Sequence, residues 1–278
     1  HRATAVISDA KIGLKQLSNA LDDWKAPDTW YQKSINERNE WDAYVEKQSG
    51  PTNQELPSYA HAVGAVYRNA DPSDIVVTAA GGLVGEVVQI WKPKQINTFE
   101  TEWGFSCMGY EISGALGIKM AKPDKDIIVF IGDGSYLLQN SDIYSSVIYD
   151  KKLIIVVCDN SGHMVINRLQ LAKGGKEYLC GLKTSRASNF VEVDFAAHAK
   201  SMGAESETVT STSELEVAFK RAKESKKTYV IVIKTHGYEW LEGTAFWESP
   251  TLEVHTTDEN KKAYAEHLDG KNKQRKGV

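Results

Sequence analysis

Few cysteines, no long apolar run and no large charge excess mark this 278-residue chain. Three cysteines (Cys107, Cys158, Cys180) make an odd number, and none has CxxC spacing. That argues against a disulfide framework or a cysteine zinc site, and a reducing, cytoplasmic compartment is expected. Cys158 ends the apolar run from Leu153, where a buried thiol is the expectation. No apolar stretch approaches the roughly 20 residues of a bilayer span, and no secretory leader is visible. A formal net charge of −4 offers no electrostatic reason to bind nucleic acid or an anionic membrane. Opening on His1 rather than Met suggests a fragment, a processed product or a trimmed chain.

What is present suffices for real cores. Hydrophobic residues make up 41% and charged ones 25%, enough for one or two packed domains. Ala3 to Leu21 carries apolar residues at helical spacing, and Asp28 to Lys47, rich in Trp, Tyr and charge, reads as an amphipathic connector outside the core. Ser49-Gly50-Pro51 breaks any helix, so a domain is expected to start at 51. Beyond it, Asp74 to Ala80, Ile127 to Ile131, Leu153 to Cys158 and Tyr229 to Lys234 are short, nearly continuous β-branched runs. Such runs suit central parallel strands covered on both faces. Between them lie helix-like segments at Ser58 to Asn69, Gly104 to Ala121, Tyr136 to Asp150, Phe190 to Met202 and Ser213 to Lys226. The alternation predicts an α/β fold, doubly wound, with a mostly parallel sheet and helices on both faces. A charged surface helix is expected from Thr257 onward.

Gly132-Asp133-Gly134-Ser135 directly follows one strand-like run. In open parallel sheets, ligands bind where strand ends meet helix N-termini. Gly132 and Gly134 allow close backbone approach, and Ser135 is expected to cap a helix from Tyr136. The free N–H groups and helix dipole favour a phosphate, while Asp133 offers the hard oxygen that Mg²⁺ or Ca²⁺ requires. Asp159-Asn160-Ser161-Gly162 closes the next apolar run, and adjacent parallel strands would bring its oxygens beside Asp133. A carboxylate, an amide oxygen and a backbone carbonyl, completed by diphosphate oxygens and water, make an octahedral Mg²⁺ site. A nicotinamide fingerprint is not met, because Leu137 stands where its third glycine belongs, and no GxxxxGK[ST] loop exists.

The run Gly132 to Ser135 followed by Asp159-Asn160 resembles the signature of thiamine-diphosphate enzymes, with Asp-Asn in place of the usual Asn-Asn. The resemblance implies metal ligands Asp133, Asn160 and the Gly162 carbonyl, and a ThDP-binding fold. It also implies cofactor contacts at Gly81, Gly82, Met108, Gly132, Gly134, Ser135 and Gly162, with Met108 beneath the bent cofactor. Within the superfamily, Thr101 to Glu111, Ile131 to Tyr144, Val165 to Gln170, Asp194 to Ala199 and Trp240 to Gly243 resemble the trihydroxycyclohexane-1,2-dione hydrolases of myo-inositol breakdown. That narrower likeness implies a cyclic dione substrate and ring opening to 5-deoxy-glucuronate. Glu102, Phe105, Trp240 and Glu242, within an aromatic segment reaching Trp247, become candidates for substrate contact. It further implies the end of a middle domain and a linker at 1–50, a diphosphate-binding domain at 51–256 and a helical tail at 257–278. An N-terminal pyrimidine-binding domain would bring the glutamate that activates the cofactor, in a homodimer or homotetramer. No catalytic residue is assignable in this chain. An acetolactate synthase-like carboligase, a 2-oxo acid decarboxylase and a non-catalytic partner module remain alternatives, because the metal loop is common to the enzymes. His198 and His236 read as a helix-surface residue and a strand-end residue.

Overall fold

The computed structural model describes residues 4–102, 104–184, 191–243 and 251–274. Among them the four β-branched runs become the centre of a six-stranded parallel sheet. Its strands are β1 (Ile75–Thr78), β2 (Phe99–Thr101), β3 (Ile127–Gly132), β4 (Ile154–Asp159), β5 (Glu205–Val209) and β6 (Tyr229–Lys234), in the order β2-β1-β3-β4-β6-β5. The helices are α1 (Ala10–Leu21), α2 (Asp28–Gln48), α3 (Tyr59–Asn69), α4 (Gly81–Ile90), α5 (Tyr110–Ala121), α6 (Asp133–Leu138), α7 (Asp142–Ile148), α8 (Met164–Ala172), α9 (Phe195–Ser201), α10 (Thr212–Glu224) and α11 (Asp258–Lys273).

Strand side chains alternate between two cores. On one face Val76, Ile128, Phe130, Val156 and Ile231 pack with Val63 and Val66 of α3, Leu83 and Val87 of α4 and Phe219 of α10. On the other, Ile75, Val77, Val129, Ile155 and Val230 pack with Ile112 of α5, Ile143 of α7 and Phe195 of α9. Burial on both faces is why these strands are apolar at nearly every position. The sheet is therefore doubly wound, with helices on both sides.

The edges of the sheet are written differently. β2 (Phe-Glu-Thr) and β5 (Glu-Ser-Glu-Thr-Val) carry polar residues and escape a search for apolar runs. Charged, short edge strands are the usual protection against unwanted pairing. α4 begins on Gly81-Gly82, residues that speak against a helix, and α8 likewise opens unannounced beyond the Asn160 loop. The single helix expected over Tyr136 to Asp150 is two, α6 and α7, separated at 139–141. α9 starts at Phe195, and Phe190 lies outside the described residues. α2 is more than a connector: Val45 is buried in the first core, with Trp41 and Tyr44 packed against it. α1 starts at Ala10 and buries none of its residues. α11 follows 257 as expected, with Asn260 buried and donating through Nδ2 to the Gly174 carbonyl (2.6 Å).

Strand order reverses direction at β1. The crossover through α4 leads out to β2, and the next one, through α5, returns to β3 on the other side of β1. The carboxyl ends of β1 and β3 therefore diverge into loops on opposite faces, which opens a crevice. No helix among the described residues is long and apolar enough to cross a membrane.

Candidate functional site

Three loops converge on that crevice: Thr78–Gly82 after β1, Gly132–Ser135 after β3 and Asp159–Gly162 after β4. They enclose a cavity of about 290 Å³. Gly81, Gly82, Met108, Gly132, Asp133, Gly134, Ser135 and Gly162 all line it, joined by Tyr59 and His163. α4 points its N-terminus into the same space, so unpaired N–H groups and the positive end of the helix dipole face the cavity.

Two glycines sit tightly, Gly162 against backbone and Gly134 against a side chain. A Cβ on Gly162 would stand 2.4 Å from the Cys180 carbonyl oxygen, where Gly162 and Gly181 form an isolated antiparallel bridge. One on Gly134 would lie 2.7 Å from the His163 ring. Gly162 keeps the loop after β4 folded inward, and Gly134 lets the β3 loop close against His163.

Ser135 does not cap a helix. α6 already begins at Asp133, with Gly132 at its N-cap, so Ser135 falls inside the first turn. Its buried side chain lies near the Glu111 carboxylate instead. Ser135 lines the cavity from within α6, not from the helix end.

Asp133 is 1% exposed. Its Oδ2 accepts the Gly162 N–H at 2.6 Å, which ties the β3 loop to the β4 loop. Burial raises its pKa above the ordinary carboxylate value, and the negative Asp159 alongside raises it further, against the N–H groups of Gly162 and Gly134. Asp159 is itself buried and turned back to accept the Ser161 N–H at 2.9 Å. Two carboxylates this close and this dry favour a positive charge between the loops.

Asn160 is also buried. Its Nδ2 donates to Tyr59 Oη at 2.7 Å, while its Oδ1 has no partner. A buried amide oxygen left unmatched is costly unless something accepts its lone pairs. Asp133 and Gly162 line the cavity, whereas Asn160 borders the hollow behind it; a carboxylate, an amide oxygen and a backbone carbonyl are the donor types that a hard divalent cation takes.

The substrate candidates lie outside the cavity lining. Glu102 spends its carboxylate within its own loop, accepting the N–H groups of Phe105 (2.8 Å) and Cys107 (2.7 Å), and these bonds hold its pKa low. Phe105 is 90% exposed on that loop. Trp240 borders a smaller hollow behind the site, with Arg168 stacked 3.9 Å from its ring centre. Glu242 lies farther off beside Trp41, its N–H donating to Tyr44 Oη at 3.0 Å. Trp247 lies outside the described residues. His198 pairs with Tyr136 Oη at 3.0 Å from an exposed position, and His236 braces the chain after β6, its N–H donating to the Pro57 carbonyl at 2.8 Å.

Three residues that motif reading passed over shape the site. Glu111, 1% exposed, accepts the N–H groups of Gly109 (2.8 Å) and Ala80 (3.3 Å), so one carboxylate joins two cavity loops. Burial raises its pKa against those bonds. A lone acid in the otherwise small and apolar run Tyr110 to Leu116 is the signal that could have revealed it. Glu86 of α4 is 2% exposed and accepts the Leu241 N–H at 3.0 Å, binding the late aromatic loop to the helix that opens at the cavity. Tyr59, distant in sequence, carried no signal.

Residues 79–233 match the family model described as thiamine pyrophosphate enzyme, C-terminal TPP binding domain. Among curated relatives, a 3D-(3,5/4)-trihydroxycyclohexane-1,2-dione hydrolase of Halalkalibacterium halodurans is 35% identical over 209 residues, covering 73% of this chain and 32% of that protein. The enzyme of the same name from Lacticaseibacillus casei is 33% identical, covering 94% of this chain and 44% of its own length. This chain thus spans 32% and 44% of the length of these two relatives. Two solved structures share the fold: a thiamine diphosphate-dependent 4-hydroxybenzoylformate decarboxylase from Rhodococcus jostii RHA1 (TM-score 0.59, 18% identity, 66% of this chain and 34% of that one) and a benzoylformate decarboxylase from Polynucleobacter necessarius (TM-score 0.56, 22% identity, 68% and 34%). With more than half of its residues inside the family model and its cavity built from that model's strand-end loops, the chain belongs to the thiamine pyrophosphate enzyme family, as the C-terminal TPP-binding domain.

Proposed function

We propose that this chain is the thiamine-diphosphate and Mg²⁺-binding portion of a hydrolase that opens the ring of 3D-trihydroxycyclohexane-1,2-dione to 5-deoxy-glucuronate. The observation that carries the metal is the unpartnered, buried Asn160 Oδ1, on the loop that the buried Asp133 carboxylate holds through the Gly162 N–H. A divalent cation would satisfy the first and neutralise the second, so the residues present fit the group. Support for the reaction comes from the likeness to enzymes named for that dione.

In this reading Asp133, Asn160 and the Gly162 carbonyl hold Mg²⁺. Gly81, Gly82, Gly132, Gly134 and Ser135 bring backbone and hydroxyl groups close to the diphosphate, aided by the N-terminus of α4. Met108 supports the cofactor from the cavity wall. Thiamine diphosphate supplies, when bound, the electron sink for cleaving a carbon–carbon bond next to a carbonyl. Phe105, exposed on the loop that Glu102 braces, and Trp240, on the hollow behind the cavity, would reach substrate from outside the cavity lining, and Glu242 lies beyond them. The unit 51–256 binds the diphosphate, 1–50 joins it to a preceding domain and 257–278 is a tail. A pyrimidine-binding domain brings the activating glutamate, and the enzyme works as a homodimer or homotetramer in the cytoplasm.

The deciding experiment incubates the full-length enzyme, with Mg²⁺ and thiamine diphosphate, with the cyclic dione and separately with pyruvate. Dione consumption with formation of 5-deoxy-glucuronate is expected. Pyruvate turnover without dione turnover would assign the chain to a decarboxylase or carboligase instead.

A further inference from the structure

Asn160 has two ends, and only one of them can bind a cation. Its amide is planar, so an Nδ2 committed to one neighbour leaves Oδ1 facing the other way. The committed neighbour is Tyr59 Oη, at 2.7 Å, and Oδ1 is left buried and unpartnered. Turned over, the amide would point its NH₂ toward the cation position.

Tyr59 is well placed to hold the amide by its Nδ2. It opens α3, and the turn before it is pinned twice. The Ser58 hydroxyl accepts the His61 N–H in a capping box, and the Pro57 carbonyl accepts the His236 N–H at 2.8 Å. The ring packs against the first core and borders both the main cavity and the hollow behind it. A phenol held this firmly presents its oxygen at one place.

We infer that Tyr59 is a positioning residue for the metal site: it holds Asn160 by its Nδ2 so that Oδ1 faces the cation. Tyr59 lies outside the matched family span of 79–233, and it touches neither diphosphate nor metal in this assignment. The inference rests on the Mg²⁺ reading above and adds to it a residue that acts through another. Outer partners of this kind typically carry a 10- to 100-fold effect on metal affinity.

The test is a Mn²⁺ titration, read by loss of the free-ion electron paramagnetic resonance signal, on the full chain with thiamine diphosphate present. Wild type, Asp133→Ala, Tyr59→Phe, Asn160→Asp and the double variant Tyr59→Phe/Asn160→Asp are compared. Phe keeps the ring packing and removes only the hydroxyl. Tyr59→Phe is expected to weaken Mn²⁺ binding by about ten-fold. In the Asn160→Asp background, where both side-chain oxygens are equivalent and no amide needs orienting, the same change should matter by less than about two-fold. An equal loss in both backgrounds would reduce Tyr59 to a general structural role and overturn the inference. So would unchanged binding in Tyr59→Phe while Asp133→Ala loses it, an outcome that leaves the metal reading standing. Wild type binding no better than Asp133→Ala would remove the metal reading and this inference together.

Discussion

Glu86 is a carboxyl group placed where water cannot reach it. Only one oxygen has a partner, the Leu241 N–H, and the other is buried without one. Burial pushes its pKa up from 4.5 to about 7, against the pull of that N–H and of the Arg168 charge. The folded state therefore holds this proton more tightly than the unfolded chain does. Stability from this group is full below about pH 4.5 and declines as pH rises toward 7. The shift corresponds to at most about 3 kcal/mol. Glu86→Gln keeps an oxygen for Leu241 and cannot ionise. Urea unfolding between roughly pH 5 and pH 8 should show the variant gaining on wild type as pH rises, and parallel curves would refute the assignment. At the same scale, Glu111 and Asp133 show why buried acids are informative in this fold. Each is kept inside by backbone N–H groups from a neighbouring loop, and each therefore fixes the distance between loops.

Among the elements, α3 and the end of α2 leave no room for a side chain between them at Gly64. A Cβ on Gly64 of α3 would stand 1.9 Å from the Ser49 carbonyl oxygen, a backbone atom with no freedom to withdraw. The same carbonyl accepts Arg68 Nη1 at 2.7 Å, so the crossing is clamped as well as tight. Gly64→Ala must push the helices apart and lift Val45 from the first core. Overpacking of this kind typically costs 1–3 kcal/mol, so a loss of about 3 kcal/mol is expected in denaturant unfolding. Because Tyr59 opens the same helix, the variant should also weaken cation binding. A loss below about 0.5 kcal/mol, the range of ordinary surface substitutions, would show that the crossing relaxes freely.

For the molecule as a whole, ligand and stability are linked. Anything that binds only the folded state stabilises it, by about 2.7 kcal/mol at a hundred times Kd. Thiamine diphosphate with Mg²⁺ should therefore raise the melting temperature, and a chelator should reverse the rise. Asp133→Ala should melt at the same temperature with or without both ligands. A rise equal to that of wild type would mean that the β3 and β4 loops hold no metal. The comparison has to be made at matched ligand concentration, since the shift depends on mass action and not on contacts alone.

The α/β character, the four central strands and the polar loops after β3 and β4 were readable from the chain itself. Ile127 to Ile131 and Leu153 to Cys158 are buried on both faces, and continuous β-branched runs record that burial locally. Gly132 to Ser135 and Asp159 to Gly162 stand directly after those runs, so their place at strand ends follows from order along the chain. Edge strands leave no such record, and β2 and β5 were missed for that reason. The helix start at Asp133, which puts Ser135 inside the first turn near the Glu111 carboxylate of α5, is visible only in the folded chain. Tyr59 and Asn160 are 101 residues apart, and only the sheet order and the packing of α3 bring them within 2.7 Å. Local pattern reports what a residue is buried in; which partner it finds there is set by crossovers and register, and these exist only in the folded chain.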